Sequence, residues 1–335
     1  MTVEGPAAPP DRPRRILAID GGGMRGLIPA VVLAALERTT GRPVREDFDF
    51  LAGTSTGAVI AGGLAAGIPA ERIVALYRRR GPELFRRTPV LSQLRRVVTG
   101  QLYDVRRLNA VLREELGELA GWRVNDVPGD IMVTAVGLDD GHPWYFVKDR
   151  PGENACRTGS LPLVDCVTAS AAAPTYFGPW PIEGVGLLVD GGAGVAGNPV
   201  YQACVEAFEY TLAYQPARTV VVSLGTGRFH DRPRPTWLWP WVEWVISELF
   251  RSPGEQQTEL VGRHYGAAPL YRVDVRLPRN IPLDAVGRDL DELLAIADGL
   301  AAQLDWPAIL EGRERPFRTL PHTSAAEFRR SGSTL

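Results

Sequence analysis

Phe48-Asp49-Phe50-Leu51-Ala52-Gly53-Thr54-Ser55-Thr56-Gly57-Ala58 decides how the rest of the chain is read. The segment starts as a short apolar strand, passes through Gly53-Thr54-Ser55-Thr56-Gly57 and resumes helical composition at Ala58. Strand, tight turn and helix in that order are what Gly-x-Ser-x-Gly needs to act as a nucleophile elbow, with the serine at the strained apex. Gly53 and Gly57 let the backbone turn without a Cβ clash, and the following helix aims its first N–H groups toward developing negative charge. A capped helix behind an ordinary tight turn satisfies the same five residues, so the neighbouring loops have to decide.

Upstream, Arg15–Ile19 reads as a buried strand that stops at Asp20-Gly21-Gly22-Gly23-Met24-Arg25-Gly26. Such a loop presents backbone N–H groups at a helix start and cradles an anion. Gly21, Gly23 and Gly26 also fit Gly-x-Gly-x-x-Gly, the pyrophosphate loop of a dinucleotide-binding module. That reading calls for a carboxylate about 20 residues on, at the end of the next strand. The next strand ends in Gly53-Thr54-Ser55 instead, so an oxyanion hole serving Ser55 accounts for both loops at once. Downstream, Leu187-Leu188-Val189 leads into Asp190-Gly191-Gly192, a carboxylate at a strand end with little steric cover. Taken alone, it is a plain turn.

Further strands are expected at Ile131–Val136, Trp144–Val147, Thr219–Leu224 and Leu270–Val275. Helices are expected over Leu27–Arg38, from Ala58, and from Pro69 through Tyr77. Others fall at Val105–Leu116, Val164–Ala173, Pro199–Thr211, Trp241–Phe250 and Leu290–Leu304. Asp104 is placed to cap the helix of residues 105–116, whose apolar residues recur at helical spacing. The alternation predicts an α/β fold with a largely parallel sheet. One domain is expected over residues 15–311, with core motifs at 16–227 and a C-terminal elaboration at 228–311. A disordered tail at 1–14 and a flexible one at 312–335 would flank it.

Composition narrows the class. The 335 residues include 37 basic and 39 acidic ones, a net charge of −2, which argues against nucleic-acid binding through bulk charge. At 45% hydrophobic and 23% charged, the chain has the make-up of a folded globular protein. No apolar run approaches the ~18 residues of a membrane span. Met1–Arg15 lacks the apolar stretch of a signal peptide, so a cytoplasmic location is expected. Cys156, Cys166 and Cys204 show no CxxC spacing and read as free thiols. The four histidines are scattered, so neither a metal nor a cofactor is expected.

Together the three loops resemble the patatin-like lipid acyl hydrolases, the patatin-like phospholipase family. There, Asp-Gly-Gly-Gly-x-Arg-Gly, Gly-x-Ser-x-Gly and Asp-Gly-Gly or Asp-Gly-Ala follow in that order. Leu102-Tyr103-Asp104, Ala169–Phe177, Gly197-Asn198-Pro199 and Ser223–Gly227 add family-like stretches. The resemblance implies a three-layer α/β/α fold around a mostly parallel sheet, and release of fatty acid from phospholipid or lysophospholipid. It implies a Ser-Asp dyad, with Ser55 as nucleophile and acyl-enzyme site and Asp190 as general base. Gly22, Gly23 and Met24 would form the oxyanion hole and Arg25 would brace it, with Gly21, Gly26, Gly53, Gly57, Gly191 and Gly192 as supporting motif positions. The substrate source would be a phospholipid membrane, met by transient peripheral association at its inner face. Some bacterial members are effectors switched on by a small nucleotide and destroy the cell's own membrane. Because aspartate is a weak base for a hydroxyl proton, its surroundings must raise its basicity.

An ordinary Ser-His-Asp esterase has the chain order Ser, Asp, His, which Ser55, Asp190 and His230 or His264 also satisfy. The early elbow and the glycine loop directly after the first strand favour the dyad. His230 sits in a Pro-rich surface loop beside Asp231 and Arg232. Trp237, Trp239, Trp241 and Trp244 crowd into eight residues. Trp237 and Trp239 are candidates for lipid contact, while Trp241 and Trp244 with Val245, Ile246 and Leu249 suit a buried helix face. The sequence sets no oligomeric state.

Overall fold

The computed structural model describes residues 12–85, 101–150, 157–211, 213–229, 241 and 254–313. Strands β1 (Arg14–Ile19), β2 (Phe50–Gly53), β3 (Asp130–Gly137) and β4 (Pro143–Val147) share one sheet with β5 (Trp180–Ile182), β6 (Gly186–Asp190), β7 (Thr219–Leu224) and β8 (Leu270–Val273). The run β3-β2-β1-β7-β8 is parallel throughout. Strands β4, β5 and β6 are antiparallel additions at one side.

Longer helices cover both faces: α1 (Leu27–Thr40), α2 (Thr56–Ala65), α3 (Ala70–Leu84), α4 (Val105–Leu116) and α5 (Leu163–Ser170), then α6 (Val200–Val205), α7 (residues 254–264), α8 (Arg288–Ala301) and α9 (Trp306–Leu310). The reason for two covered faces is visible in β1. Leu17 and Ile19 point into a large core shared with α1–α5, α8 and α9, whereas Ile16 and Ala18 point into a smaller one shared with α6 and α7. All four are fully buried, as a central parallel strand requires, so polarity does not alternate along it. The sheet is therefore the middle of three layers, with unequal outer ones. Asp104 caps α4 as expected, accepting the Arg106 N–H at 3.0 Å.

One detail of the pairing places the site. Val133 takes Gly53 on one edge and Phe146 on the other; Ala135 takes Asp190 and Trp144 in the same way. Strands β2 and β6 thus lie on the same edge of β3, opposite β4. They run toward each other and stop two residues apart, roughly 7 Å along the strand. Whatever follows Gly53 must meet Asp190.

The helix expected over Pro199–Thr211 is α6 followed by a π-type turn over Glu206–Tyr210. Strand β5 and helix α7 were not anticipated. The first is three residues long with Pro181 at its middle, too short for a periodic signal; the second opens at Gly254 and carries a polar run through Gln256 and Gln257. The helix expected at Trp241–Phe250 lies outside the described residues except for Trp241, which is 47% exposed and not part of a buried face. Trp237, Trp239 and Trp244 also lie outside them, as do most of both tails. Among the described residues, no helix is long and apolar enough to cross a membrane.

Candidate active site

Ser55 sits between β2 and α2 with φ 57° and ψ −123°. Ser55 and Thr175 are the described non-glycine residues with positive φ, a conformation that costs ~1–3 kcal/mol and persists only where its surroundings enforce it. Here they do. The Ser55 N–H donates to Ser170 Oγ at 2.9 Å, and the Ser55 carbonyl accepts the Ala58 and Val59 N–H groups to start α2. Gly57 is pressed against the end of β1, where a Cβ would lie 2.1 Å from the Ile19 carbonyl oxygen. The elbow expected from the sequence is present, wedged against the neighbouring strand.

Asp190 ends β6 and is fully buried. Its Oδ1 accepts the Gly192 N–H at 2.8 Å, and its own N–H donates to the Ala172 carbonyl at 3.1 Å. Buried Oδ2 has no hydrogen-bond partner of ordinary geometry among the described residues. Burial pushes the carboxyl up from 3.8 to about 7, a rise tempered by the Ser55 side chain and the Gly192 N–H. This is the raised basicity that a carboxylate needs to take a hydroxyl proton. Residues 170–172, inside a family-like stretch, therefore hold both members of the pair: Ser170 the serine, Ala172 the aspartate.

The Asp20–Gly26 loop follows β1 and closes in a 3-10 turn at Gly23–Gly26. The Gly21 N–H donates to Gly197 O, while Thr226 Oγ donates to Gly21 O at 2.8 Å. Two more family-like stretches thus cradle it. Gly22 and Gly23 offer N–H groups that meet no acceptor among the described residues, but the Met24 N–H donates to the Leu283 carbonyl at 2.7 Å. Met24 is thereby removed from the expected trio of oxyanion donors, because its one amide hydrogen is already engaged. A Cβ on Gly22 would lie 2.2 Å from Thr226 Oγ, and one on Gly23 (φ +58°) 2.3 Å from the Leu283 oxygen. The close approach these glycines permit is that of Thr226 and Leu283, not of a dinucleotide pyrophosphate. Tyr103 donates to Asp284 at 2.7 Å and so tethers the Leu283 segment.

Sequence reasoning missed Arg272. Its Nη1 donates to Asp20 Oδ1 (2.9 Å) and Ser223 Oγ (2.8 Å), and its Nη2 to Asp20 Oδ2 (2.5 Å) and Asp274 Oδ2 (3.1 Å). Burial pushes Asp20 up to about 6, and Arg272 keeps it from rising further. Arg272 and Asp274, two apart on one strand end, face the same side; that spacing was the available signal. Arg25 reaches the Gly227 carbonyl at 3.5 Å, in keeping with a bracing role.

An apolar cavity of about 560 Å³, mouth included, opens beside Ser55 and is walled by Met24, Val59, Leu84, Phe85, Leu108 and Val111. His264 is exposed on α7, where the Tyr201 hydroxyl meets its Nδ1 at 2.7 Å. No described histidine contacts Ser55 or Asp190. His230 lies outside the described residues.

A strained serine beside a buried carboxylate, two N–H groups without an acceptor among the described residues and an apolar pocket form an arrangement that can open an ester. The family model for patatin-like phospholipases matches residues 17–204. The chain belongs to that family, and with it to the serine hydrolases of lipid carboxylic esters. It is 32% identical over 260 residues to a "cGAMP-activated phospholipase" of Pseudomonas aeruginosa, covering 75% of this chain and 76% of that protein. An Escherichia coli protein of the same name is 32% identical over 207 residues, covering 59% of this chain and 57% of its own length. The crystal structure of VipD from Legionella pneumophila aligns over 88% of this chain and 67% of its own, with a TM-score of 0.42 and 11% identity.

Proposed function

We propose that this chain releases fatty acid from phospholipid or lysophospholipid through a Ser55–Asp190 dyad. The observation that carries this reading is Asp190: a fully buried carboxyl, raised to about 7, whose Oδ2 has no partner of ordinary geometry among the described residues and which has the Ser55 hydroxyl beside it. Ser55 Oγ attacks the ester carbon while its proton passes to Asp190. The carbonyl electron pair moves onto oxygen, where the Gly22 and Gly23 N–H groups stabilise it. Collapse breaks the bond to the alcohol oxygen, which leaves with the proton from Asp190, and the acyl group stays on Ser55. Water then repeats the sequence: Asp190 takes its proton, the oxygen adds to the acyl carbon, and Ser55 is expelled and reprotonated.

Ser55→Ala and Asp190→Asn should each lower kcat/KM on a soluble p-nitrophenyl ester by ~10⁴-fold or more while circular dichroism stays unchanged. His264→Ala should stay within about tenfold of wild type, whereas loss of a triad histidine costs ~10⁴-fold. Substantial activity in either dyad variant would overturn the assignment.

The substrate is drawn from a membrane surface by peripheral contact, and residues 15–311 form the catalytic unit. The two relatives named as cGAMP-activated support a small cyclic nucleotide as the switch here too. Adding cGAMP to the purified chain on phospholipid vesicles tests it; an unchanged rate would set that switch aside and leave the dyad standing.

A further inference from the structure

The cavity beside Ser55 is not the end of the apolar space. A second cavity adjoins it, and the two share three wall residues: Val59 of α2, Leu76 of α3 and Leu112 of α4. The second is walled by Gly62, Gly63, Ile73, Leu116 and Val167, and polar groups enter only at Arg72 and Glu115. We propose that the acyl chain bound at Ser55 passes the waist of Val59, Leu76 and Leu112 into this second chamber, whose depth selects long acyl chains. The proposal rests on the reading of Ser55 as nucleophile.

Helix geometry gives the reach. Eight residues separate Ser55 from Gly63 along α2, and eight separate Leu108 from Leu116 along α4, about 12 Å in each case at 1.5 Å per residue. Both helices line the space from the serine to the far chamber. A channel with aliphatic walls over that length accepts methylenes and rejects a headgroup, because each methylene that leaves water favours binding while an unpaired polar group opposes it. Gly63 keeps the far chamber open. Glycine is a poor helix former, yet it stands inside α2, where a Cβ would come 3.2 Å from Ile73 Cδ1. The far limit is polar: Arg72 donates to the Glu115 carbonyl at 3.0 Å across the rim, and an alkyl tail gains nothing by going further.

The test is kcat/KM of the full chain on p-nitrophenyl butyrate, decanoate and palmitate. Wild type should prefer the longer esters. Gly63→Leu and Leu116→Trp, on different helices, should each lower the decanoate-to-butyrate ratio by about tenfold or more, the discrimination that a few methylenes in an apolar pocket provide. A wild-type ratio that does not rise with chain length overturns the proposal, as does a ratio within about twofold of wild type in either folded variant. Ser55→Ala separates the two levels of the argument. If it abolishes hydrolysis while the chain-length ratios are indifferent to the substitutions, the channel is wrong and the nucleophile stands; if it retains hydrolysis, the nucleophile is wrong.

Discussion

Asp190 owes its proton affinity to where β6 stops: fully buried, with one oxygen on the Gly192 N–H and the other without a partner of ordinary geometry among the described residues. In its proposed role as base, Asp190 must be ionised to accept the Ser55 proton, so with its carboxyl at about 7 kcat/KM should fall roughly tenfold per pH unit below that value. A solvent-exposed aspartate would place that limb near 4; a limb there would contradict the buried-base account. Stability runs the opposite way. The folded carboxyl titrates at about 7 and the ordinary one at 3.8, so between those values the folded state holds a proton that the unfolded chain has released. Stability from this group is therefore greatest below pH ~4, declines as pH rises to ~7 and stays lowered above. Asp190→Asn should be more stable than wild type at pH 8, by up to ~4 kcal/mol for a shift of that size, and the gap should close toward pH 4. Urea denaturation of both proteins at the two pH values reads this; equal stability at pH 8 would mean that burial costs the carboxylate little. Asp20, also raised by burial, contributes a similar slope to both proteins and cancels in the comparison.

Between elements, what could be read from sequence was what is local along the chain. Strand, glycine turn, serine and helix follow one another within Phe48–Ala58, and the backbone bonds that shape the elbow are mostly local too. Asp190 was legible as a residue type at a strand end, but its meeting with Ser55 depends on β2 and β6 sharing an edge of β3, which no local pattern encodes. The oxyanion loop shows the limit most directly. Its glycines were readable, yet the loss of Met24 as a donor comes from Leu283, and the anchoring of Asp20 comes from Arg272, 252 residues on. That anchor joins the ends of β1 and β8 through a buried, bidentate pair with a second carboxylate, Asp274, on the same guanidinium. Arg272→Gln leaves buried Asp20 without its paired cation, while Asp274 keeps Arg228 at 2.8 Å, and should cost ~3–5 kcal/mol in urea denaturation. Arg272→Lys should recover only part of it, since an ammonium lacks the planar fork. A loss below about 1 kcal/mol in the Gln variant would mean that solvent replaces the guanidinium and the loop is anchored elsewhere.

At the scale of the whole molecule, one sheet serves two cores of unequal size. The larger face carries α1–α5, α8 and α9 and the two apolar cavities; the smaller carries α6 and α7. Because β1 is central, adjacent residues on it belong to different layers: Ile16 to the small core and Leu17 to the large one, both fully buried. Removing either helical layer would expose one face of the same strands and leave the other core half its wall. The layers should therefore unfold together despite the length of the chain. Ile16→Ala and Leu17→Ala should each destabilise by ~2–5 kcal/mol, the range for large-to-small changes at buried sites. Both should lower the midpoint of one shared urea transition, with far-ultraviolet circular dichroism and tryptophan fluorescence coinciding. A separate early transition in Ile16→Ala alone would show that the small layer melts on its own. The three-layer sheet would then be a stable two-layer catalytic unit with a detachable back, and Ser55 and Asp190, whose elbow and base pack on the large face, would outlive it.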